Sequence, residues 1–294
     1  MRSYRIKLDD QSTWYHCYNR VAGTRLDRPF DEADREKFVH LLHRVATLYT
    51  VQVIAYQVMS NHFHLLLMAP RQEPTADDMC RRYHSFHYGK KELNPDSAAC
   101  RSWQARSRDI SWFMRHVQHL FTAWFNRTRT VRRRGKLWAD RFKHTLLESG
   151  RAVWACWKYI EQNPVRAGMV QHAADYRFCS HGRWHQSGRH PFADHLRETA
   201  LPMLRDLLGV KDIRDIRDQM DAALAEDEPP TASAGFTLHL RRRVRHWVDG
   251  AVIGSELFVR QVMAAHTKPG QADRHRVAMN EASFCAWRRV GNAG

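Results

Sequence analysis

Two β-prone runs, Val51 to Val58 and His62 to Met68, are joined only by Met59, Ser60 and Asn61. A link that short leaves two strands one practical way to pair, side by side and antiparallel. The second run, His62-Phe63-His64-Leu65-Leu66-Leu67, alternates in chemistry at its start. Side chains along a strand alternate between faces, so His62 and His64 share one face and Phe63 points into the other.

The segments around this hairpin extend the pattern. Residues 13–20 are aromatic and β-prone and predict a strand, with Gly23 and Pro29 punctuating the loop that follows. Asp31 opens a helix whose apolar positions Phe38, Leu41, Leu42, Val45 and Leu48 recur at three- and four-residue steps. Residues 70–108 hold several charges and no clear period, and read as an excursion from the core. The helical period returns at Ile110, with Phe113, Met114, Val117, Leu120, Phe121 and Trp124. A further strand is predicted over 142–147 and a helix over 151–163, ended by Asn163-Pro164 because proline disfavours the αR region in the residue before it. The order β-α-β-β-α-β-α predicts an α+β sandwich with helices on one face of an antiparallel sheet.

Composition narrows the partners. The chain has 294 residues with 47 Lys and Arg against 31 Asp and Glu, a formal charge of +16. A surface of that sign attracts polyanions through counterion release, which puts nucleic acid first. With 43% hydrophobic residues and 10 Trp a real core is expected, and wholesale disorder is excluded. No apolar stretch is long enough to span a membrane, and the N-terminal residues lack the apolar region of a secretory signal. A cytoplasmic protein with reduced, mostly buried cysteines is expected, since Cys17, Cys80, Cys100, Cys156, Cys179 and Cys285 form no metal or redox spacing. Past residue 185 the character changes. A helical stretch of mixed charge covers 193–225, a linker-like break follows, and a basic tail runs from 236 to 294.

Three groups of residues carry chemistry. His62 and His64 can chelate one divalent ion, or can be satisfied by backbone groups. Tyr159 and Asn163 lie four apart on one helix face, where a tyrosine is a nucleophile or a core aromatic beside Trp154, Trp157 and Ile160. Residues 127–143 carry eight basic side chains against the single acid Asp140, suited to phosphate contact or to a solvated loop. The pairs His84/His87 and His116/His119 read as bland.

Taken together, Met59-Ser60-Asn61-His62-Phe63-His64-Leu65-Leu66-Leu67, Gly135-Lys136-Leu137-Trp138-Ala139-Asp140-Arg141-Phe142-Lys143 and Tyr159-Ile160-Glu161-Gln162-Asn163-Pro164-Val165-Arg166-Ala167-Gly168 form a joint pattern. It resembles that of the single-tyrosine HUH transposases, in the REP-associated (repetitive extragenic palindrome) tyrosine transposase branch. Ser60 stands where many members have proline. The resemblance covers about residues 10–185. It implies a ferredoxin-like or RRM-like core over 1–185; beyond it, composition divides the chain into a helical connector and linker over 186–235 and a basic accessory segment over 236–294.

By the same resemblance, the activity is nicking and rejoining of single-stranded or hairpin DNA through a 5′-phosphotyrosine link, with Mg²⁺ or Mn²⁺ as cofactor. Tyr159 would be the nucleophile, His62 and His64 the metal ligands, and Asn163 a third ligand. Arg132, Arg133, Arg134, Lys136, Arg141, Lys143 and Arg166 would contact DNA, and Trp138 would stack on a base or fill the core. The competing reading is a catalytically silent DNA- or RNA-binding protein or repressor that keeps the fold. Neither reading fixes the oligomeric state, monomer or dimer. A metal-hydrolase barrel is excluded, because the chain has no repeated β-α units.

Overall fold

The computed structural model describes residues 6–8, 11–23, 29–129, 135–226, 247, 250–266, 276–279 and 284–288. Strand β1 (Thr13–Arg20) leads into helix α1 (Glu32–Leu48), then the hairpin strands β2 (Gln52–Val58) and β3 (His62–Ala69). Asp31 caps α1 through a reciprocal capping box with Asp34, which places the start of the helix where the sequence reading put it.

The excursion after β3 is helical, contrary to its unpatterned look. Thr75 caps α2 (Ala76–Phe86) and Ser97 caps α3 (Ala98–Ser107). Within α3 only Cys100 and Ser107 are buried, so almost no apolar period is needed there. Helix α4 (Ile110–Thr128) then leads to β4 (Lys143–Leu147), α5 (Arg151–Glu161) and the single turn α6 (Asn163–Arg166). Pro164 sits in the first turn of α6, where a missing N–H costs nothing, so the chain turns there and resumes a helix.

Strands β2-β3-β1-β4 stand in the ferredoxin-like order, each antiparallel to its neighbour. The α+β architecture with an antiparallel sheet is thus the one expected. On one face, α1 and α4 close over Cys17, Phe63, Leu65 and Leu67 in an aromatic-rich core. The other face, carrying Trp14, Ile54, Leu66 and Met68, is covered by α5 and by later helices, so helices lie on both faces.

The extension adds the helices expected of it and more. Helix α7 (Ser180–Ser187) is followed by α8 (Ala193–His195), which runs through a π turn at Leu196–Ala200 into α9 (Leu201–Leu208). Helix α10 (Ile213–Glu226) comes next. Strand β5 (Gly250–Gly254), helix α11 (Glu256–His266), β6 (Arg276–Met279) and β7 (Phe284–Arg288) lie beyond. β5 pairs parallel to β4 through Leu146↔Val252 and Leu147↔Ile253, and β7 and β6 follow antiparallel. Among the described residues these strands form one seven-stranded sheet in the order β2-β3-β1-β4-β5-β7-β6. Residues 227–246, which hold most of the linker-like break and the start of the basic tail, lie outside the described residues.

Candidate functional site

Register builds the site. Tyr18 on β1 stands directly opposite His64 on β3, and His16 opposite Leu66, so His16, Tyr18, His62 and His64 share one face. Helix α5 crosses that face and sets Tyr159 against the histidines. The Tyr159 ring lies edge-on to His64, 5.7 Å between centroids, and to His16 at 5.8 Å. His62 and His64 are 5.2 Å apart, with Tyr18 beside both. His62, His64 and Tyr159, picked out by sequence, therefore meet in one place.

A relay of hydrogen bonds sets the ring nitrogens. The Trp247 carbonyl can only accept, so His16 Nδ1 donates to it at 2.9 Å. Thr145 Oγ1 donates to the same carbonyl at 3.0 Å. His16 Nε2 then has only a lone pair to offer, and His64 Nδ1 donates to it at 2.8 Å. That leaves the Nε2 lone pair of His64 available to a ligand. His62 Nδ1 donates to Asn61 Oδ1 at 2.7 Å, so a partner holds that ring nitrogen as well. Imidazoles oriented by a partner on Nδ1 fit a divalent ion through Nε2. As donors they suit Mn²⁺ better than Mg²⁺, which prefers oxygen.

Burial sets the charges. His64 is 2% exposed, and burial, aided by His16, His62 and Arg166, holds its pKa well below the ordinary value. Burial likewise brings His16 down to about 4, against the opposing pull of the Trp247 carbonyl. Both are neutral at pH 7, the state a metal ligand requires. The Tyr159 phenol is pushed up by burial, while Arg166 and a hydrogen bond from Asn163 oppose the shift. The Arg166 guanidinium lies 5.1 Å from the Tyr159 ring centre and donates to the Tyr159 carbonyl at 3.3 Å and to Gln162 Oε1.

Asn163 is next to Tyr159 rather than aimed demonstrably at the histidines: its Nδ2 donates to the Ile160 carbonyl at 3.3 Å. Lys136, Arg141 and Lys143 are exposed along the segment leading into β4. Arg132, Arg133 and Arg134 lie outside the described residues. Trp138 is half-buried, its indole N–H donating to Thr122 Oγ1 at 3.0 Å and its ring meeting Phe63 at 5.2 Å edge-on. Its ring thus has core partners, and its outer edge lines a groove.

That groove, about 870 Å³, lies between α4 and residues 135–142. Arg115, His119, Lys136 and Arg141 line it beside Trp112, against the single carboxylate of Asp140. The α4 residues of the groove were missed by sequence reasoning because their helical period points the other side of α4 into the core. His16 and Trp247 were missed too. The alternation Trp14-His16-Tyr18 in a predicted strand carried a signal for His16; Trp247 carried none.

The fold and its site define an α+β domain of ferredoxin-like strand order bearing a histidine–tyrosine cluster on one sheet face. No family model matches the chain, and no curated protein matches it in sequence. Among solved structures it is similar to a REP-associated tyrosine transposase bound to a REP hairpin, with a TM-score of 0.39 and 15% identity over 65% of this chain and 90% of that one. Among the described residues, no helix is long and apolar enough to cross a membrane.

Proposed function

We propose that this chain nicks and rejoins single-stranded, hairpin-forming DNA through a covalent 5′-phosphotyrosine link at Tyr159. The observation that carries the reading is the meeting of Tyr159 with His64 and His16 across β1, β3 and α5, with Arg166 against the same ring. A core tyrosine needs neither two buried histidines against its ring nor a guanidinium over it.

In this reaction the phenolic oxygen of Tyr159 forms a bond to phosphorus, and the bond from phosphorus to the 3′ oxygen breaks. The phenol proton is accounted for on the released 3′-OH. One phosphodiester is exchanged for another, so the strand can be resealed without ATP. A divalent ion on His62 and His64, with Asn163 as a further ligand, would act as a Lewis acid on the phosphate oxygens. Arg166 adds positive charge at the attacking oxygen, where anion must develop. The basic groove with Lys136 and Arg141, and Lys143 at the start of β4, hold the phosphate backbone, which positions a strand without reading its sequence.

The burial of Tyr159, 4% exposed beneath Trp247, favours the second reading, a silent nucleic-acid binder. The two separate in one experiment. The purified chain is mixed with end-labelled hairpin DNA and Mn²⁺, and a denaturing gel is scanned for a protein–DNA adduct. An adduct on the 5′ phosphate with a free 3′-OH upstream supports the enzyme. Binding without any adduct leaves the binder.

A further inference from the structure

A second cluster of ligating side chains lies away from the histidine–tyrosine site. Glu161, two residues after Tyr159, is fully buried and turns to α7, where it accepts from the Ser180 hydroxyl, from the His181 backbone N–H and from the Trp157 indole. Gly182 allows the close approach of α7 to the segment before it, since a Cβ there would stand 2.2 Å from the Tyr176 carbonyl oxygen. The first turn of α7 is therefore fixed in place. His181 and His185 follow at i and i+4, one turn apart on one helix face.

Both rings are aimed at one atom. Nε2 of His181 and Nε2 of His185 each lie 2.9 Å from Oδ1 of Asp221 on α10. The three ligand atoms all lie within 4.8 Å of one another. Tetrahedral coordination by imidazole and carboxylate, with bonds of about 2.0–2.1 Å, separates neighbouring ligand atoms by roughly 3.3 Å. A few tenths of an ångström of side-chain movement would open the two 2.9 Å sides that far. His181 is 3% exposed, whereas His185 is 34% and Asp221 40% exposed, so the triangle is rooted in the core and open to solvent on one side.

We propose that His181, His185 and Asp221 bind a zinc-class divalent ion, with water as fourth ligand, and that this ion clamps α10 to α7. Two imidazoles and one carboxylate suit Zn²⁺ and exclude Mg²⁺, which demands an oxygen shell. The clamp has a mechanical purpose. α10 buries only Ile216 and Met220 fully, so its docking on the rest of the fold is thin. A metal bond across α7 and α10 would secure α10 to the helical layer that includes α5 and Tyr159. The site is independent of the proposed nicking reaction and shares no residue with it.

The test uses the full chain, stripped of metal, with ZnCl₂ as the probe and thermal unfolding as the readout. At a zinc excess of about 100-fold over Kd, a rise in Tm of roughly 5 °C is expected. The rise should persist in a His62→Ala/His64→Ala chain and be lost when His185→Gln/Asp221→Asn are added to that chain, and MgCl₂ should not produce it. In the His62→Ala/His64→Ala background, Co²⁺ should give visible absorption that the added His185→Gln/Asp221→Asn changes abolish. If those changes prevent folding, the cobalt spectrum of the His62→Ala/His64→Ala chain decides alone. In the His62→Ala/His64→Ala background, no zinc response, or a response that survives His185→Gln/Asp221→Asn, would each overturn the clamp. Failure of the nicking reading shows separately, as absence of the DNA adduct.

Discussion

The indole of Trp247 lies nearly parallel to the Tyr159 ring, 21° between planes and 5.6 Å between centroids. Its carbonyl at the same time accepts from His16 and Thr145. One residue of the C-terminal region thus covers the phenol with its side chain and sets the imidazole relay with its backbone. The two functions are separable by mutation. Trp247→Ala keeps the carbonyl and removes the cover, so the histidine tautomers persist while Tyr159 gains exposure. Adduct formation with hairpin DNA should accelerate, at a stability cost of about 3 kcal/mol for the lost aromatic burial. A rate unchanged or slowed in folded protein would show that Trp247 does not shield the tyrosine.

His62 and His64 differ in burial, and their replacement should differ accordingly. His62 is half-buried and its loss removes a ligand with little harm to folding. His64 is deeply buried and donates to His16, so His64→Ala also strands a buried nitrogen, at about 1–3 kcal/mol. Both variants should lose nicking and keep DNA affinity, and only His64→Ala should show a lowered urea midpoint. Full nicking by either variant, or by wild type in excess EDTA, contradicts the ligand assignment.

The residues that sequence exposed and those it hid divide along a physical line. His62, His64 and Tyr159 were legible because strand alternation and helix spacing are local properties of a short segment. The strands and the cap at Asp31 were legible for the same reason. His16 enters the site only through the pairing of β1 with β3, and Trp247 only by the return of a distant segment. Neither contact follows from a local period. Helices α2 and α3 escaped notice because they bury few residues, leaving caps as their main signal. The tail strands escaped because a linker-like break hides the parallel pairing of β5 with β4.

The groove between α4 and residues 135–142 makes a claim about salt. Lys136 and Arg141 are exposed on its wall. Lys136→Ala combined with Arg141→Ala should weaken binding to unrelated single strands alike. The slope of log K against log salt should flatten by roughly 0.7 per lost phosphate contact. A fluorescence-anisotropy titration at several KCl concentrations measures this. Loss confined to one hairpin sequence would mean that the pair reads bases or shape instead.

Acid should loosen the packing of α8 against β2. His195 Nδ1 accepts the Val53 N–H at 2.8 Å, and burial, aided by Arg82 and opposed by Asp194, holds its pKa down to about 4. His43, stacked on Phe192 at 4.1 Å, is held to about 4 mainly by burial as well. The unfolded chain takes up these protons near pH 6.5 and the folded chain near 4. Their contribution to stability is therefore fully present above pH 6.5 and is lost as the pH falls towards 4. His195→Asn cannot take up the proton, so its unfolding free energy in urea should fall less between pH 7 and 4.5, by on the order of 2 kcal/mol. Parallel curves for the two proteins would remove His195 from the acid response.

Tyr159→Phe isolates the oxygen on which the proposed reaction depends. The change keeps the ring against His16, His64 and Trp247 and removes only the hydroxyl that Asn163 contacts. The stability loss should be about one hydrogen bond, 0.5–1.5 kcal/mol, and metal binding and hairpin affinity should stay near those of the parent chain. If Tyr159 attacks phosphorus, nicking and the covalent adduct must both vanish, because no other atom of this ring can form the bond. Peptide mass spectrometry of the parent adduct should place the nucleotide on the peptide carrying Tyr159, joined through a 5′ phosphate. Nicking retained by the Phe variant, or an adduct on another residue, would make Tyr159 a core aromatic and transfer the chemistry elsewhere.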